Sequence, residues 1–113
     1  MPRTTGAPFE APPFWMISAL QSQMLPLLYA ALGSRAQVSS WYRTQRANRA
    51  VGGDAESQHL MGLAMDFVGD AEAIERAAQA RGLIAVRESD HTHVQVFPRG
   101  ALARAGVRFA LLP

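Results

Sequence analysis

The 113-residue sequence contains no cysteine and no lysine. Without cysteine no disulfide can form, so packing and any bound metal must stabilise the fold. A metal site would have to use histidine and carboxylate ligands. The rest of the composition, with 49% hydrophobic and 18% charged residues, is that of an ordinary globular protein. A chain of this length suffices for one modest core, and we expect residues 1–113 to form a single domain.

Long apolar runs are also lacking. No uninterrupted stretch of about 18 apolar residues occurs, so we expect no membrane insertion. Residues 1–13 hold four of the seven prolines together with Glu10, and they lack the basic-then-apolar order of a secretion signal. We expect an extended, proline-rich lead-in without a signal peptide.

All eleven basic residues are arginines, yet the net charge is only +2. Four of them, Arg35, Arg43, Arg46 and Arg49, lie within fifteen residues of one another. Two interpretations stay open: a surface that meets an anionic polymer, or a solvated loop. Because no aromatic-rich basic strand accompanies the cluster, we do not expect nucleic-acid binding.

The three histidines all lie beside acids in two short stretches. Residues 57–66, S-Q-H-L-M-G-L-A-M-D, contain His59 and Asp66. Residues 90–93, D-H-T-H, contain His91 and His93. Singly, each residue has an ordinary explanation, such as a surface histidine or a buried acid paired with arginine. Together, two histidines and one aspartate suit catalytic zinc, which takes three protein ligands and leaves a fourth position for water.

The pattern S-x-H-x-x-G-x-A-x-D followed by D-H-T-H resembles the zinc D-Ala-D-Ala peptidases of the M15 type. These enzymes share a small α+β fold with the Hedgehog signalling domain and cut bacterial peptidoglycan peptides. The resemblance covers residues 38–96 and includes S-W-Y-R at 40–43 and N-R-A-V-G-G at 48–53. It implies Zn²⁺ held by His59, Asp66 and His93.

The same resemblance assigns the groups that would move protons. Asp90, three residues before His93, matches the place of the catalytic acid and base in such peptidases. Glu88 is the alternative, because a small error in register would exchange the two carboxylates. His91 shares a strand face with His93, and it is a further catalytic candidate that would hydrogen-bond the water or the intermediate.

Arg43 matches the family's arginine, which implies contact with the oxyanion or with the substrate carboxylate. We therefore count Arg43 as a catalytic and a substrate-binding candidate. Ser57 and Gln58 are the other substrate-binding candidates. Both can instead shape the loop and orient His59.

We predict an α+β fold with a small antiparallel sheet flanked by helices, similar to the Hedgehog and D,D-peptidase fold. Pro26 is expected to divide the first apolar segment into helices at 14–24 and 25–33. Residues 46–56 are expected to form a polar loop, and Asp70 to cap a helix through Arg81. The predicted strands are 37–42, 64–68, 83–87 and 91–97, and the tail is expected to add a short helix and an edge strand. The predicted core of the first segment is Trp15, Met16, Leu20, Met24, Leu27 and Leu28.

The function that this pattern predicts is a monomeric zinc metallopeptidase acting on peptidoglycan peptides, as a D,D-carboxypeptidase or a crosslink endopeptidase. It would act at the cell wall, and the expected lack of a signal peptide suits a phage-encoded endolysin released on lysis. The alternative is a non-catalytic zinc-binding module of the Hedgehog-like or phage structural type. Asp90 and Arg43 favour the enzyme, since a structural zinc prefers a closed site with four ligands.

Overall fold

The computed structural model describes residues 9–12 and 20–113, and it has the predicted α+β architecture. Its four strands pair antiparallel throughout. They are β1 (Ala36–Ser40), β2 (Ala64–Gly69), β3 (Ile84–Arg87) and β4 (Thr92–Gln95). The spatial order is β1-β2-β4-β3, so the two central strands are β2 and β4. The helices are α1 (Leu20–Leu32), α2 (Gln45–Ala50), α3 (Ala71–Gln79) and α4 (Ala101–Arg104).

Helix α1 runs through Pro26 without the predicted break. A proline inside a helix costs about 3 kcal/mol or more. Leu25, Leu28 and Leu32 lie on one face of α1 and are fully buried, and each such side chain contributes about 1.5–3 kcal/mol. Their burial therefore outweighs the cost of the proline. Leu27, predicted as core, is 65% exposed because the uninterrupted helix turns it away from that face.

The structure describes only some of the other residues that were predicted for this segment. Leu28 is buried and Met24 packs against the core, as predicted. Trp15 and Met16 lie outside the described residues, as does the side chain of Leu20. Most of the predicted helix at 14–24 falls there too. No helix in the described part of the chain is long and apolar enough to cross a membrane.

The central strands alternate as their sequences predict. On β2, Met65 and Phe67 face the core, and on β4 Val94 does the same. Asp66 and His93 therefore lie on the opposite face of the sheet. Helix α3 packs Ile74 and Ala78 onto the core side, which leaves the Asp66 face free to form a site. The core on the helix side consists of Leu25, Leu28, Leu32, Ala36, Val38, Trp41, Met65, Phe67, Ile74, Ala78, Leu83 and Val94.

The segment from Asp70 to β4 confirms two predicted signals. The Asp70 carboxylate accepts a hydrogen bond from the Ala73 amide and caps α3. Strands β3 and β4 form the predicted antiparallel hairpin. Its turn is closed by the Glu88 amide, which donates to the His91 carbonyl at 2.8 Å.

Two regions differ from the prediction. Residues 45–50 form α2 instead of a polar loop, and the Thr44 hydroxyl caps the helix by accepting from the Ala47 amide. The tail contains the predicted short helix, but the predicted edge strand is wrong, because residues 109–111 form a 3₁₀ turn. The backbone N–H of Gln45 donates to the Pro113 carbonyl at 2.8 Å and anchors the tail beside α2.

Candidate metal centre and cleft

His59 is placed by a 3₁₀ turn that joins α2 to β2. The turn spans Gln58–Met61, and the Ser57 hydroxyl accepts from the His59 amide at its start. Gly62 ends it with φ +70°, a left-handed conformation that glycine adopts without strain. The buried Pro12 packs against Gly62, while neighbouring Glu10 bridges to Tyr42. This turn delivers His59 to the strand that carries Asp66.

Asp66 and His93 are direct neighbours across β2 and β4. Asp66 Oδ1 lies 2.9 Å from His93 Nδ1 and 3.1 Å from His59 Nε2. The possible ligand atoms of the three residues all lie within 4.8 Å of one another. The structure thus brings together the three residues that the resemblance implies as zinc ligands, and the cluster can hold a metal ion.

Each of the two histidines has an inner ring nitrogen that faces Asp66 and an outer ring nitrogen that faces away from it. The partner of the outer nitrogen determines which of the two carries the proton. His59 Nδ1 lies 2.5 Å from the Trp41 carbonyl oxygen, which only accepts, so Nδ1 carries the proton. Gln95 donates its amide to the Phe97 carbonyl, which leaves its Oε1 to accept from His93 Nε2 at 2.8 Å. In the neutral rings, the inner nitrogens therefore direct lone pairs at the same carboxylate oxygen.

Three electron-rich atoms facing one another repel unless a positive charge lies between them. A proton on an inner nitrogen or a metal cation satisfies this requirement. Partners that fix the outer nitrogen are the usual support of histidines that bind metals. The donor set of two nitrogens and one carboxylate oxygen fits zinc.

Burial and hydrogen bonding act in opposite directions on the pKa values of Asp66 and His93. Burial alone would raise the pKa of Asp66, but hydrogen bonds from His59 and His93 together with their charge outweigh it and hold that pKa well below its usual range. Burial would lower the pKa of His93, but its hydrogen bonds to Asp66 and Gln95 raise it above the ordinary value. A metal held by these atoms would compete with protons for them.

Arg43 is turned toward the carboxylate of Asp66. Its Nη2 donates to Asp66 Oδ2 at 3.1 Å, its Nε to Ser40 Oγ at 3.2 Å and its Nη1 to Asn48 Oδ1 at 3.3 Å. Both oxygens of Asp66 are thereby engaged, Oδ2 by Arg43 and Oδ1 by the histidines. Arg43 also lines the cleft, so its charge lies beside the candidate metal centre.

Asp90 and His91 form a pair at the hairpin turn. The Asp90 carboxylate lies 2.6 Å from His91 Nδ1, and its side chain is 86% exposed. His91 Nε2 lies 3.8 Å from Asp66 Oδ1. The structure therefore brings His91 next to the cluster, whereas Asp90 meets the cluster through His91. Glu88 lines the same cleft and forms no hydrogen bond through its side chain among the described residues.

Ser57 and Gln58 line the cleft but have structural partners. Ser57 caps the His59 turn. The buried Gln58 side chain donates to the Phe97 carbonyl and accepts from the Phe97 amide, at 2.6 and 3.0 Å. These contacts agree with the loop-shaping interpretation of both residues, and substrate binding by them stays a prediction.

The cluster lies in an open cleft of about 750 Å³. One wall comes from residues 51–58 and another from the hairpin that carries Val86 and His91. The C-terminal segment completes the lining with Arg99, Leu102 and Phe109. The cleft therefore offers a peptide both charged and apolar surface next to the candidate metal centre.

Three partners of the site are missing from the residues proposed from sequence. Gln95 lies on the histidine face by strand alternation, but nothing in the sequence singles it out as an acceptor. Asn48 belongs to a segment expected to be a loop. The Trp41 contact uses a backbone carbonyl, for which side-chain identity carries no signal.

Comparison with known proteins points to one family. The model of the Peptidase M15 family matches residues 4–95, most of the chain and all three members of the cluster. Among curated proteins, none matches the sequence.

Proposed function

Since the chain belongs to the Peptidase M15 family, whose members depend on zinc, we propose that it is a monomeric zinc metallopeptidase hydrolysing peptide bonds in peptidoglycan stem peptides or crosslinks. The observation that carries the proposal is the convergence of two histidine nitrogens on Asp66 Oδ1 inside an open cleft. A site with three ligands and access for substrate is the arrangement of catalytic zinc, whereas structural zinc has four protein ligands.

His59, Asp66 and His93 would hold the ion. Zinc bound there would supply an activated water near neutral pH and polarise the scissile carbonyl. Trp41 and Gln95 keep the two imidazoles oriented through their outer nitrogens. This fixed geometry limits the reorganisation needed during the reaction.

His91 and Asp90 are the side chains placed to transfer a proton during hydrolysis. His91 Nε2 lies nearest to the cluster, and Asp90 holds the opposite ring nitrogen. In this arrangement His91 accepts the proton of the attacking water at Nε2 and passes it to the nitrogen of the leaving amine, while Asp90 stabilises the charged ring. Glu88, at the other end of the same turn, is the alternative base.

Arg43 contributes fixed positive charge at the floor of the cleft. Its guanidinium holds Asp66 Oδ2, so that role combines support of the carboxylate with stabilisation of negative charge on the substrate. Arg43→Lys would preserve the charge but lose the forked contacts to Ser40, Asn48 and Asp66.

The test combines metal analysis with digestion of purified peptidoglycan and of defined stem peptides. We expect one zinc per chain and new peptide termini, identified by mass spectrometry. Release of terminal alanine would indicate a carboxypeptidase, and loss of crosslinked dimers an endopeptidase. Asp66→Asn is the matched inactive control, because it keeps the side-chain size while removing the anionic ligand.

Zinc binding without hydrolysis of any such peptide would refute the enzymatic proposal and favour a non-catalytic module. We also propose that the protein acts at the cell wall, as a phage-encoded lysis enzyme does after its release. Purified protein added to isolated walls should then lower their turbidity, and the Asp66→Asn protein should not.

A further inference from the structure

Asn48 is a buried polar residue on the short helix α2. Its side chain has a partner at each end: Nδ2 donates to the Asp54 carbonyl at 2.8 Å and Oδ1 accepts from Arg43 Nη1 at 3.3 Å. Its backbone carbonyl accepts from the Gly53 amide at 2.8 Å. Among the residues of α2, Asn48 is the one that is buried. A buried amide with these partners connects the loop at 51–57 to Arg43.

Arg43 carries that connection to the candidate metal centre. Its other nitrogens donate to Ser40 Oγ and to Asp66 Oδ2. The guanidinium is planar and rigid, so fixing it through Asn48 and Ser40 fixes the direction of its bond to Asp66. Because Oδ2 is held on this side, Oδ1 is presented to His59 and His93.

We propose that Asn48 is a positioning residue for the metal centre, which acts through Arg43 to set the rotation of the Asp66 carboxylate. The inference rests on metal binding by the proposed peptidase but not on its hydrolytic activity. It gives a role to the N-R-A-V-G-G stretch at 48–53, which contains none of the candidate ligands or proton-transfer residues. The loop at 51–57, which belongs to the cleft wall, and the candidate ligand Asp66 then share one hydrogen-bonded support.

Gly53 lies close against the Asn48 side chain on the side of the loop. A Cβ at Gly53 would lie 2.0 Å from Asn48 Oδ1 and 2.7 Å from its Cγ. Any side chain at residue 53 must therefore displace the Asn48 amide. Gly53→Ala perturbs the same support from the loop, without altering Asn48, Arg43 or a ligand.

The experiment measures the zinc dissociation constant by competition with a chromophoric chelator, together with the melting temperature of the metal-free protein. Loss of a partner behind a metal ligand weakens affinity by about 10–100-fold. We expect Asn48→Ala and Gly53→Ala to weaken zinc binding within this range. Asn48→Asp keeps an acceptor for Arg43 and should lose less than Asn48→Ala. The control is Arg49→Ala, an exposed neighbour on α2, which should stay within about twofold of wild type.

A double-mutant cycle separates positioning from general stabilisation. If Asn48 acts through Arg43, the double variant of Asn48→Ala and Arg43→Ala should bind zinc no more weakly than Arg43→Ala alone. Additive losses would overturn the proposal. So would a lower melting temperature of Asn48→Ala with an unchanged zinc dissociation constant.

Two further outcomes are decisive. If Asn48→Ala does not fold, Gly53→Ala and Ser40→Ala provide the test, because each removes one support of Arg43 from a different side. Wild-type zinc affinity in both would then refute the inference. If the wild-type protein itself binds no zinc, the proposed function fails first, and the two failures are thereby distinguished.

Discussion

Gln95 offers a direct test of how the outer nitrogen of His93 governs the site. Its Oε1 accepts from His93 Nε2 at 2.8 Å, and its Nε2 donates to the Phe97 carbonyl at 2.8 Å. Gln95→Leu retains much of the volume but removes both bonds. The His93 ring then has no acceptor that fixes its tautomer, and the nitrogen facing Asp66 is no longer defined.

The expected magnitude differs for metal affinity and for stability. Losing the acceptor behind a metal-binding histidine weakens affinity by about 10–100-fold, or about 1.4–2.7 kcal/mol at 25 °C. The metal-free protein loses two half-buried hydrogen bonds of about 1 kcal/mol each, so we expect a loss of about 1–2 kcal/mol in the free energy of unfolding. Zinc should therefore raise the free energy of unfolding of the variant by less than it raises that of wild type.

The assay pairs a zinc competition titration with urea unfolding, in chelator and at a fixed free zinc concentration. Gln95→Glu is the conservative control, because its carboxylate still accepts from His93 Nε2 and should preserve zinc affinity. A Gln95→Leu protein that lost stability but bound zinc as tightly as wild type would refute this role of Gln95. His93 would then be oriented without Gln95.

Three further outcomes follow from the same geometry. Removing zinc with a chelator should lower the melting temperature, because metal binding adds to folding free energy; an unchanged scanning calorimetry trace would contradict a site held by His59 and its partners. Asp90→Asn should retain zinc and stability while slowing peptide hydrolysis by up to about 10²–10⁴-fold, measured by chromatography of products, because it removes the carboxylate that stabilises the protonated His91 ring. Normal hydrolysis in this variant with slow hydrolysis in Glu88→Gln would assign the role of base to Glu88 instead of the His91–Asp90 pair. Gly62→Ala should cost at least about 1–2 kcal/mol in urea unfolding, from its left-handed backbone and a Cβ 2.4 Å from Pro12 Cγ, and a loss near zero would show that the turn relaxes.

The sheet could be predicted because its signals are local. Alternation in β2 and β4 separates the Met65 and Phe67 side from the Asp66 side, and the structure keeps that separation. The cap at Asp70 is similarly local, since a single carboxylate satisfies an amide three residues on. Such features depend on neighbours in sequence and need no knowledge of the tertiary fold.

The two helices predicted wrongly depend on distant contacts. Pro26 is tolerated inside α1 because Leu25 and Leu28 pack against the sheet, and that packing cannot be seen in the segment itself. Helix α2 lacks an apolar stripe, and the residue that it buries is the polar Asn48. Hydrophobic periodicity is therefore silent there, although Thr44 as a capping residue was an available signal.

The grouping of the three candidate ligands was predictable from sequence, but the residues that support them were not. The spacing of His59 and Asp66, with His93 following, resembles a known motif, and the structure brings the three together. The partners of their outer atoms could not be inferred, because a backbone carbonyl such as that of Trp41 has no sequence signature. The path from Asp90 to the cluster through His91 depends on rotamers at the hairpin turn.

The direct opposition of Asp66 and His93 across β2 and β4 has a consequence for folding kinetics. These residues are 27 positions apart in sequence, so they meet only when the two central strands have paired. A chain that has not reached this stage lacks a complete set of ligands. Zinc should therefore leave the folding rate nearly unchanged and slow unfolding, so that the metal acts mainly on the lifetime of the folded protein.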